Sequence, residues 1–264
     1  MRTYIISNIA SCIGSNPYNP PSEMFEKLWI SHDKVLYNNV INTLQPTSSL
    51  HKDKKLLSSA MKSDSYKTMS KITSSRTLDT KDKVNLLSSQ NTPDLSIEES
   101  DALRRFVKSK VSTSHGIKLE KTAIDLFVEQ TNIPVTHDYK LYSREINNSV
   151  LIRGKIDGRF ENGIIEVKNR TRKLFHNVPL YEYIQIQLYL FLLNSKHAKH
   201  IEHFNGNILV NDIFVDNTFI TQILDKLCLF DTLLESIMKD SGMQYDYFNS
   251  ESRDEFILNY IGNI

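Results

Sequence analysis

Apolar residues recur along this chain with two different periods, and the pattern predicts helices first and strands later. Positions 5–36 carry them at roughly helical spacing on both sides of an Asn-Pro-Tyr-Asn-Pro-Pro turn at 16–21. A capping-box pattern at 96–99 predicts a helix to about residue 110, and the apolar spacing predicts a second helix over 114–130.

The period changes to that of strands after residue 135. Strands are predicted around 136–144, over 150–160 and over 164–168, and Asn162-Gly163 between the last two is a strong hairpin signal. The remaining predicted elements are an apolar helix from 179 to about 193, a strand over 207–215, and helices over about 217–240 and 252–262. This order predicts an α/β fold in which helices flank a mixed central β-sheet.

One segment lacks both periods. At about 46–95, Ser, Thr and Lys supply half of the positions, a composition typical of an insertion or a linker, with short helices as the alternative. A chain of 264 residues with 40% hydrophobic residues can bury one sizeable core. We therefore expect a single domain over 1–264 that carries an insertion at about 46–95.

Charge and cysteine content narrow the function classes. The net charge is +1, so any affinity for nucleic acid must come from a local basic patch. Cys12 and Cys228 stand far apart without a CxxC motif, which excludes a disulfide framework or a cysteine-rich metal site and favours an intracellular, reducing compartment. The longest purely apolar run, 188–193, is too short for a transmembrane helix, so no membrane partner is expected.

The predicted hairpin places three ionisable side chains together. If Asn162-Gly163 forms a two-residue turn, Asp157 lies opposite Lys168, and Asp157, Glu166 and Lys168 share one face because strand side chains alternate. Asp157 and Glu166 would then be diagonal neighbours about 7–8 Å apart at the backbone. Two carboxylates at that separation can close around a divalent cation.

Mg²⁺ or Mn²⁺ is the cation expected here. Hard oxygen ligands suit these ions, and the backbone carbonyl of Val167 can join the carboxylates of Asp157 and Glu166. Lys168 beside them could orient or deprotonate an attacking water and balance charge during phosphodiester hydrolysis. The alternative is a cross-strand salt-bridge group on a wet sheet face. Gly154 and Gly158 around the aspartate favour the site, because they permit close approach of a backbone or ligand.

Two flanking helices carry further polar candidates. Glu120 shares an apolar helical face with Ile124 and Phe127, where a carboxylate must be paired, protonated or bound to metal unless it reaches solvent at the edge. Gln185 and Tyr189 lie one turn apart on the apolar helix, either as satisfied core side chains or as parts of a site.

These residues resemble a known signature. Residues 154–158 (Gly-Lys-Ile-Asp-Gly) and 165–168 (Ile-Glu-Val-Lys) resemble the PD-(D/E)XK nuclease motif, with Ile156 where the Pro usually stands. The resemblance implies a restriction-endonuclease-like core in which Asp157 and Glu166 bind metal and Lys168 assists the nucleophilic water. GxxxE ending at Glu120 and QxxxY from Gln185 to Tyr189 are similar to accessory motifs of lambda-exonuclease-like and RecB-like nucleases. There the Glu is an extra metal ligand, and the Gln and Tyr line the active site.

The N-terminal segment extends the resemblance. Residues 6–10 and 14–18 resemble the opening of the YqaJ-like viral recombinase and lambda-type exonuclease family, which implies that Ser7 and Arg2 help to hold a DNA 5′-phosphate. For Arg2 the alternative is a surface charge. Next to Lys168, three further cations are expected to contact backbone phosphates unless they form a solvated face: Arg170, Arg172 and Lys173.

The resemblance as a whole implies a Mg²⁺- or Mn²⁺-dependent 5′→3′ exonuclease on linear duplex DNA with a 5′ end, acting in recombination, repair or viral DNA processing in a host cell. It admits a single-strand annealing protein and further copies of the chain as partners. A RecB-like endonuclease is the alternative enzyme, without an iron–sulfur cluster because the ligating cysteines are missing. A non-catalytic DNA-binding protein on the same fold is the alternative outside the enzymes.

Overall fold

A computed structural model describes residues 1–44, 49–75 and 77–262, with the backbone alone over 49–54. The helices are α1 (Ile6–Cys12), α2 (Pro21–His32), α3 (Lys34–Leu44), α4 (Ser49–Ala60), α5 (Asp64–Ser74), α6 (Thr80–Ser89), α7 (Ile97–Thr131), α8 (Leu180–Leu193), α9 (Asn217–Lys239), α10 (Ser241–Asn249) and α11 (Arg253–Ile261). The strands are β1 (Arg2–Ile5), β2 (Thr136–His137), β3 (Tyr142–Glu145), β4 (Val150–Gly154), β5 (Gly158–Phe160), β6 (Gly163–Asn169), β7 (His197–Phe204) and β8 (Asn207–Phe214).

The strands divide between two mixed sheets. A three-stranded sheet has the order β1-β4-β3, and a five-stranded sheet has the order β2-β5-β6-β7-β8. Within the larger sheet, β6 and β7 run parallel and the other neighbours are antiparallel. The predicted α/β class, with mixed strands flanked by helices, is confirmed.

Helices cover both faces of the larger sheet. On one face, Ile165 and Val167 of β6 pack with Ile124 and Phe127 of α7. On the other face, Ile164 belongs to the main core that includes α8. Strand β6 is therefore buried from both sides, as expected for a central strand between helical layers.

The β5–β6 hairpin differs from its predicted register. Phe160 pairs with Gly163 and Gly158 with Ile165, so the two-residue connection is Glu161-Asn162 and the predicted Asn162-Gly163 turn is wrong. Gly163 lies inside β6, where an added Cβ would be 2.2 Å from the carbonyl oxygen of His197. Glycine is thus needed there for close strand packing. The shift is two residues, so every side chain keeps its predicted face.

Other elements also differ from the prediction. The two helices expected over 96–110 and 114–130 are one helix, α7, and its predicted capping box between Ser96 and Glu99 is present. Residues 2–5 form β1, parallel to β4, so Ile5, the first residue of the predicted helical pattern, ends a strand. Strand β7 and helix α10 were not predicted.

The inserted segment contains short helices. Within it, α4, α5 and α6 pack against the first half of α7 around Met69, Leu87, Leu103 and Val107, a cluster separate from the main core. Residues 46–48 and 76 of the predicted insertion lie outside the described residues. The single-domain organisation stays a prediction.

None of the helices in the described part of the chain combines the length and apolar character needed to cross a membrane.

Candidate active site

Asp157 lies where the chain passes from the smaller sheet to the larger one. Strand β4 ends at Gly154 and β5 begins at Gly158. The backbone N–H of Asp157 still donates to the carbonyl of Ile165 (3.3 Å), and its Oδ2 accepts from the backbone N–H of Val167 (2.8 Å). Asp157 is therefore bonded to the residues on either side of Glu166 and does not lie opposite Lys168, where the predicted register had placed it. Burial raises the pKa of Asp157 to about 6, and the charge of Glu120 adds to the rise.

Glu166 is the buried centre of the cluster. Its Oε1 accepts from Lys168 Nζ at 2.7 Å and from Gln185 Nε2 at 2.8 Å. Its Oε2 is buried and has no hydrogen-bond partner in the part of the chain that the structure describes. Burial raises the pKa of this carboxyl to about 7, although Lys168 opposes the rise. An unpaired buried carboxylate oxygen is costly, so this atom points to a missing positive partner.

Lys168, Gln185 and Tyr189 form one hydrogen-bonded chain beside Glu166. Lys168 Nζ donates to Gln185 Oε1 at 3.0 Å, and Gln185 Nε2 lies 3.3 Å from the Tyr189 hydroxyl. Gln185 and Tyr189 project from successive turns of α8 towards β6. Burial alone would lower the pKa of Lys168, but Glu166 raises it. The lysine is therefore held as an ammonium ion.

Tyr189 reaches this position because Gly154 has no side chain. A Cβ at Gly154 would be 2.5 Å from Cε1 of Tyr189 and 3.1 Å from Cδ1 of Ile6. Burial raises the pKa of the Tyr189 hydroxyl, which keeps it protonated. The glycine thus serves the close approach expected from the sequence, with an aromatic side chain as the neighbour.

Replacing Gly154 by Ala is expected to displace Tyr189 and weaken its contact with Gln185. Overpacking of this kind costs about 1–3 kcal/mol, and a misplaced active-site group can cost about 10²-fold in rate. Thermal unfolding would measure the loss of stability, and the rate of the reaction proposed below would measure the effect on the site. Gly116→Ala is the matched control, since a Cβ there meets nothing within 4 Å. Full activity and unchanged stability in Gly154→Ala would contradict the described packing.

Glu120 approaches the cluster from the opposite helical layer. It is half-buried on α7, one turn from the buried Ile124. Burial raises its pKa, the ammonium of Lys155 lowers it, and the charge of Glu166 raises it further. The charge of Glu120 also contributes to the raised pKa of Asp157, so the three carboxylates act on one another electrostatically.

The cluster fits a hard divalent cation. Three carboxylates raise one another's pKa values, and Oε2 of Glu166 has no partner. The N–H and C=O of a strand residue point to the same side, so the carbonyl of Val167 also points towards Asp157. An all-oxygen donor set of this kind matches Mg²⁺ or Mn²⁺.

Solved structures that are similar to this chain share little of its sequence. No protein-family model and no curated protein sequence matches the chain. An alkaline exonuclease from Laribacter hongkongensis is 12% identical, covers 70% of this chain and 94% of its own, and has a TM-score of 0.42. Its complex with dAMP is 15% identical, with coverages of 61% and 88% and a TM-score of 0.43. A phage-related exonuclease from Haemophilus somnus is 15% identical, with coverages of 73% and 93% and a TM-score of 0.36. Similarity at this level leaves function to be argued from the site.

Two predicted DNA contacts lie in internal ion pairs. Arg2 is buried, pairs with Asp231, and donates to Glu235 at 3.0 Å. Arg170 donates to both carboxylate oxygens of Glu182 (2.6 and 2.7 Å) and to Glu202 (2.6 Å). These carboxylates account for the positions of the two guanidinium groups, so the structure lends no support to their predicted phosphate contacts.

The other predicted contacts are exposed. Ser7 lies in the first turn of α1, next to the Ile6 that packs beside Gly154. Arg172 and Lys173 are exposed in the loop that follows β6. Their roles in DNA binding stay predictions.

Sequence reasoning missed a buried polar network next to the site. His200 lies beside Glu166 and Glu202 beside Lys168 in the β6–β7 pairing, and His200 Nε2 is 2.9 Å from Oε2 of Glu182. One ligand atom each of Glu182, His200 and Glu202 lie within 4.8 Å of one another, a spacing that a metal ion could use. However, the guanidinium of Arg170 already forms salt bridges with both carboxylates. We therefore interpret this group as an ionic network that supports Lys168.

Proposed function

We propose that this chain is a divalent-metal-dependent nuclease that hydrolyses DNA phosphodiesters. The observation that carries the proposal is the buried carboxylate of Glu166. Its Oε2 is unpaired among the described residues, its Oε1 accepts from Lys168 and Gln185, and Asp157 is bonded to the adjacent Val167. A salt bridge on a wet sheet face would leave these groups exposed, whereas Glu166 is buried between two helical layers.

Asp157, Glu166 and the Val167 carbonyl would hold the cation, with Glu120 as a further ligand. A bound Mg²⁺ or Mn²⁺ supplies Lewis-acid stabilisation of charge on the phosphoryl oxygens. Protonation competes with binding, because the pKa values of Asp157 and Glu166 are raised to about 6 and about 7.

Lys168 supplies positive charge and a hydrogen-bond donor. Since Glu166 raises its pKa, the ammonium keeps its proton and is suited to stabilising the developing charge and orienting a water rather than removing a proton. Gln185 fixes its direction by accepting from Nζ, and Tyr189 contacts the amide end of Gln185. The side chains therefore form a preorganised donor set at the carboxylates.

Within this function, we propose a 5′→3′ exonuclease acting on linear duplex DNA in recombination, repair or viral DNA processing. Support comes from the order of the motifs around Glu120, Asp157, Glu166 and Gln185 and from the N-terminal segment around Ser7. The exposed Arg172 and Lys173 offer sequence-independent phosphate contacts beside the site.

The test uses linear duplex DNA labelled at one 5′ or one 3′ end, closed circular DNA, and Mg²⁺ or Mn²⁺. We expect degradation of linear DNA alone, from the 5′ end, and a loss of about 10²–10⁴-fold in Lys168→Ala. Lys239→Ala is the control, since its side chain is 71% exposed on α9. Cutting of the circle would indicate an endonuclease, and salt-sensitive binding without hydrolysis would indicate a DNA-binding protein.

A further inference from the structure

A surface pocket lies where β6 and β7 end. It is lined by Lys173, Leu174, Phe175, His176 and Phe204. Its volume of about 420 Å³ falls within the range of small-molecule sites, about 300–1,000 Å³. Its wall is almost entirely apolar and includes two phenylalanines, Phe175 and Phe204. Two exposed cationic residues, Arg172 and Lys173, lie in the same loop.

The pocket is on the same face of the sheet as the proposed active site. Alternate strand residues share a face, so Phe204 follows His200 and Glu202 along β7 on the side of Glu166. The backbone N–H of Arg170 donates to the carbonyl of His203 at 2.8 Å, which continues the β6–β7 pairing and places Arg170 beside Phe204. Glu166 and Arg170 are four residues apart, about 13 Å along the strand.

The pocket is held by the ionic network. The backbone N–H of Phe175 donates to a carboxylate oxygen of Glu202, and the Arg170 guanidinium lies 4.2 Å from the centre of the Phe175 ring. Glu202 is fully buried, and Arg170 is bound by two carboxylates. The hydrogen bond to Glu202 therefore holds the backbone of Phe175, and Arg170 packs on one face of its ring. The rest of the ring can then form a rigid side of the pocket.

We propose that this pocket receives one unstacked nucleobase of the DNA strand bound at the active site, an inference that rests on the proposed function. Aromatic walls stack on any base, which gives affinity without sequence preference. The ammonium of Lys173 and the guanidinium of Arg172 would contact the adjoining phosphates, as the negative backbone requires. Glu166 and Arg170, which lies beside Phe204, are about 13 Å apart along the strand. At 3.4 Å per nucleotide, this separation places the bound base within about four nucleotides of the hydrolysed bond.

The experiment uses a series of DNA strands that are identical except for the position of a single abasic site. Binding is measured in Ca²⁺, which takes the same oxygen ligands, and hydrolysis in Mg²⁺. We expect wild-type affinity to fall about 5- to 150-fold when the missing base is at one or two adjacent positions, as loss of one stacked base predicts. Phe204→Ala should bind all members of the series equally, at the weakened level.

Two further variants make the result specific. Phe204→Leu retains apolar volume without a ring and should show the same flat profile, which separates stacking from loss of folding. Phe214→Ala, a 65%-exposed phenylalanine at the far end of the sheet, should keep the wild-type profile. If the wild-type protein binds and hydrolyses DNA but its affinity does not depend on the position of the abasic site, the base pocket is overturned and the proposed function still stands. Absence of both binding and hydrolysis would overturn the proposed function and the pocket together.

Discussion

Replacing Asp157 by Asn is expected to abolish DNA hydrolysis and to make the metal-free protein more stable. The loss of a ligand charge should lower the rate by roughly 10³-fold or more. The carboxyl of Asp157 has its pKa raised by burial to about 6, so its ionised form is unfavourable in the folded protein. An Asn side chain still accepts the hydrogen bond from Val167 and carries no charge.

The stability gain should depend on pH in a defined direction. A carboxyl whose pKa is raised on folding stabilises the fold below its unfolded pKa, and that contribution is lost as pH rises through the folded value. The difference between Asp157→Asn and wild type should therefore vanish below about pH 4 and be largest above about pH 6. Its size is on the order of 1–3 kcal/mol.

Thermal unfolding in a chelator at several pH values would measure this difference. Asp125→Asn provides the control, because Asp125 is exposed on the same helix as Glu120. A fall in stability above pH 6 in Asp157→Asn would contradict the picture of strained, like-charged carboxylates. Retained hydrolysis would remove Asp157 from the proposed metal site.

The shared face of Asp157, Glu166 and Lys168 was predictable because it depends only on the parity of strand positions. The predicted turn was misplaced, but a shift of two residues leaves parity unchanged. The sequence could not predict which residues of β6 lie next to Asp157. The contacts of Asp157 with Ile165 and Val167 follow from the two-residue shift, which places Gly163 in β6 where the neighbouring β7 leaves no room for a side chain.

Strand β7 was not predicted, for a different reason. Its sequence, His-Ala-Lys-His-Ile-Glu-His-Phe, carries polar residues at positions that the fold buries. Glu202 and His200 are buried because Arg170 and Glu182, far away in the chain, bind them. Burial of these polar groups is stabilised by partners that are distant in the chain, and local periodicity cannot predict such long-range pairs.

Long-range ion pairs also explain why Arg2 and Arg170, which the sequence analysis assigned to DNA binding, lie inside the fold. A cluster of cations after a catalytic strand indicates a phosphate-binding surface when the acidic partners are unknown. Arg2 forms a salt bridge with Asp231 on α9, and Arg170 forms one with Glu182 on α8. Both partners are separated from their arginines by many residues or by a change of element, so charge patterning could not show them.

Replacing Arg170 by Ala is expected to destabilise the fold strongly. Burial opposes ionisation of Glu182, but hydrogen bonds from His200 and Arg170 lower its pKa to about 2, so the carboxylate is charged at neutral pH. Removing the guanidinium leaves Glu182 and Glu202 buried without their cation, and breaking a buried pair in this way costs about 3–5 kcal/mol. Denaturant or thermal unfolding of the purified variant would measure the loss.

Arg172→Ala is the matched comparison, because Arg172 is two residues away and exposed. It should leave stability within about 0.5 kcal/mol of wild type and reduce the salt dependence of DNA binding by about one phosphate contact. If Arg170→Ala instead kept its stability and lost only DNA affinity, the sequence-based assignment of Arg170 to phosphate would be right and the ionic network would be unimportant. The two outcomes differ because a buried charge without a partner destabilises the fold whether or not DNA is present, whereas a phosphate contact contributes only to the complex.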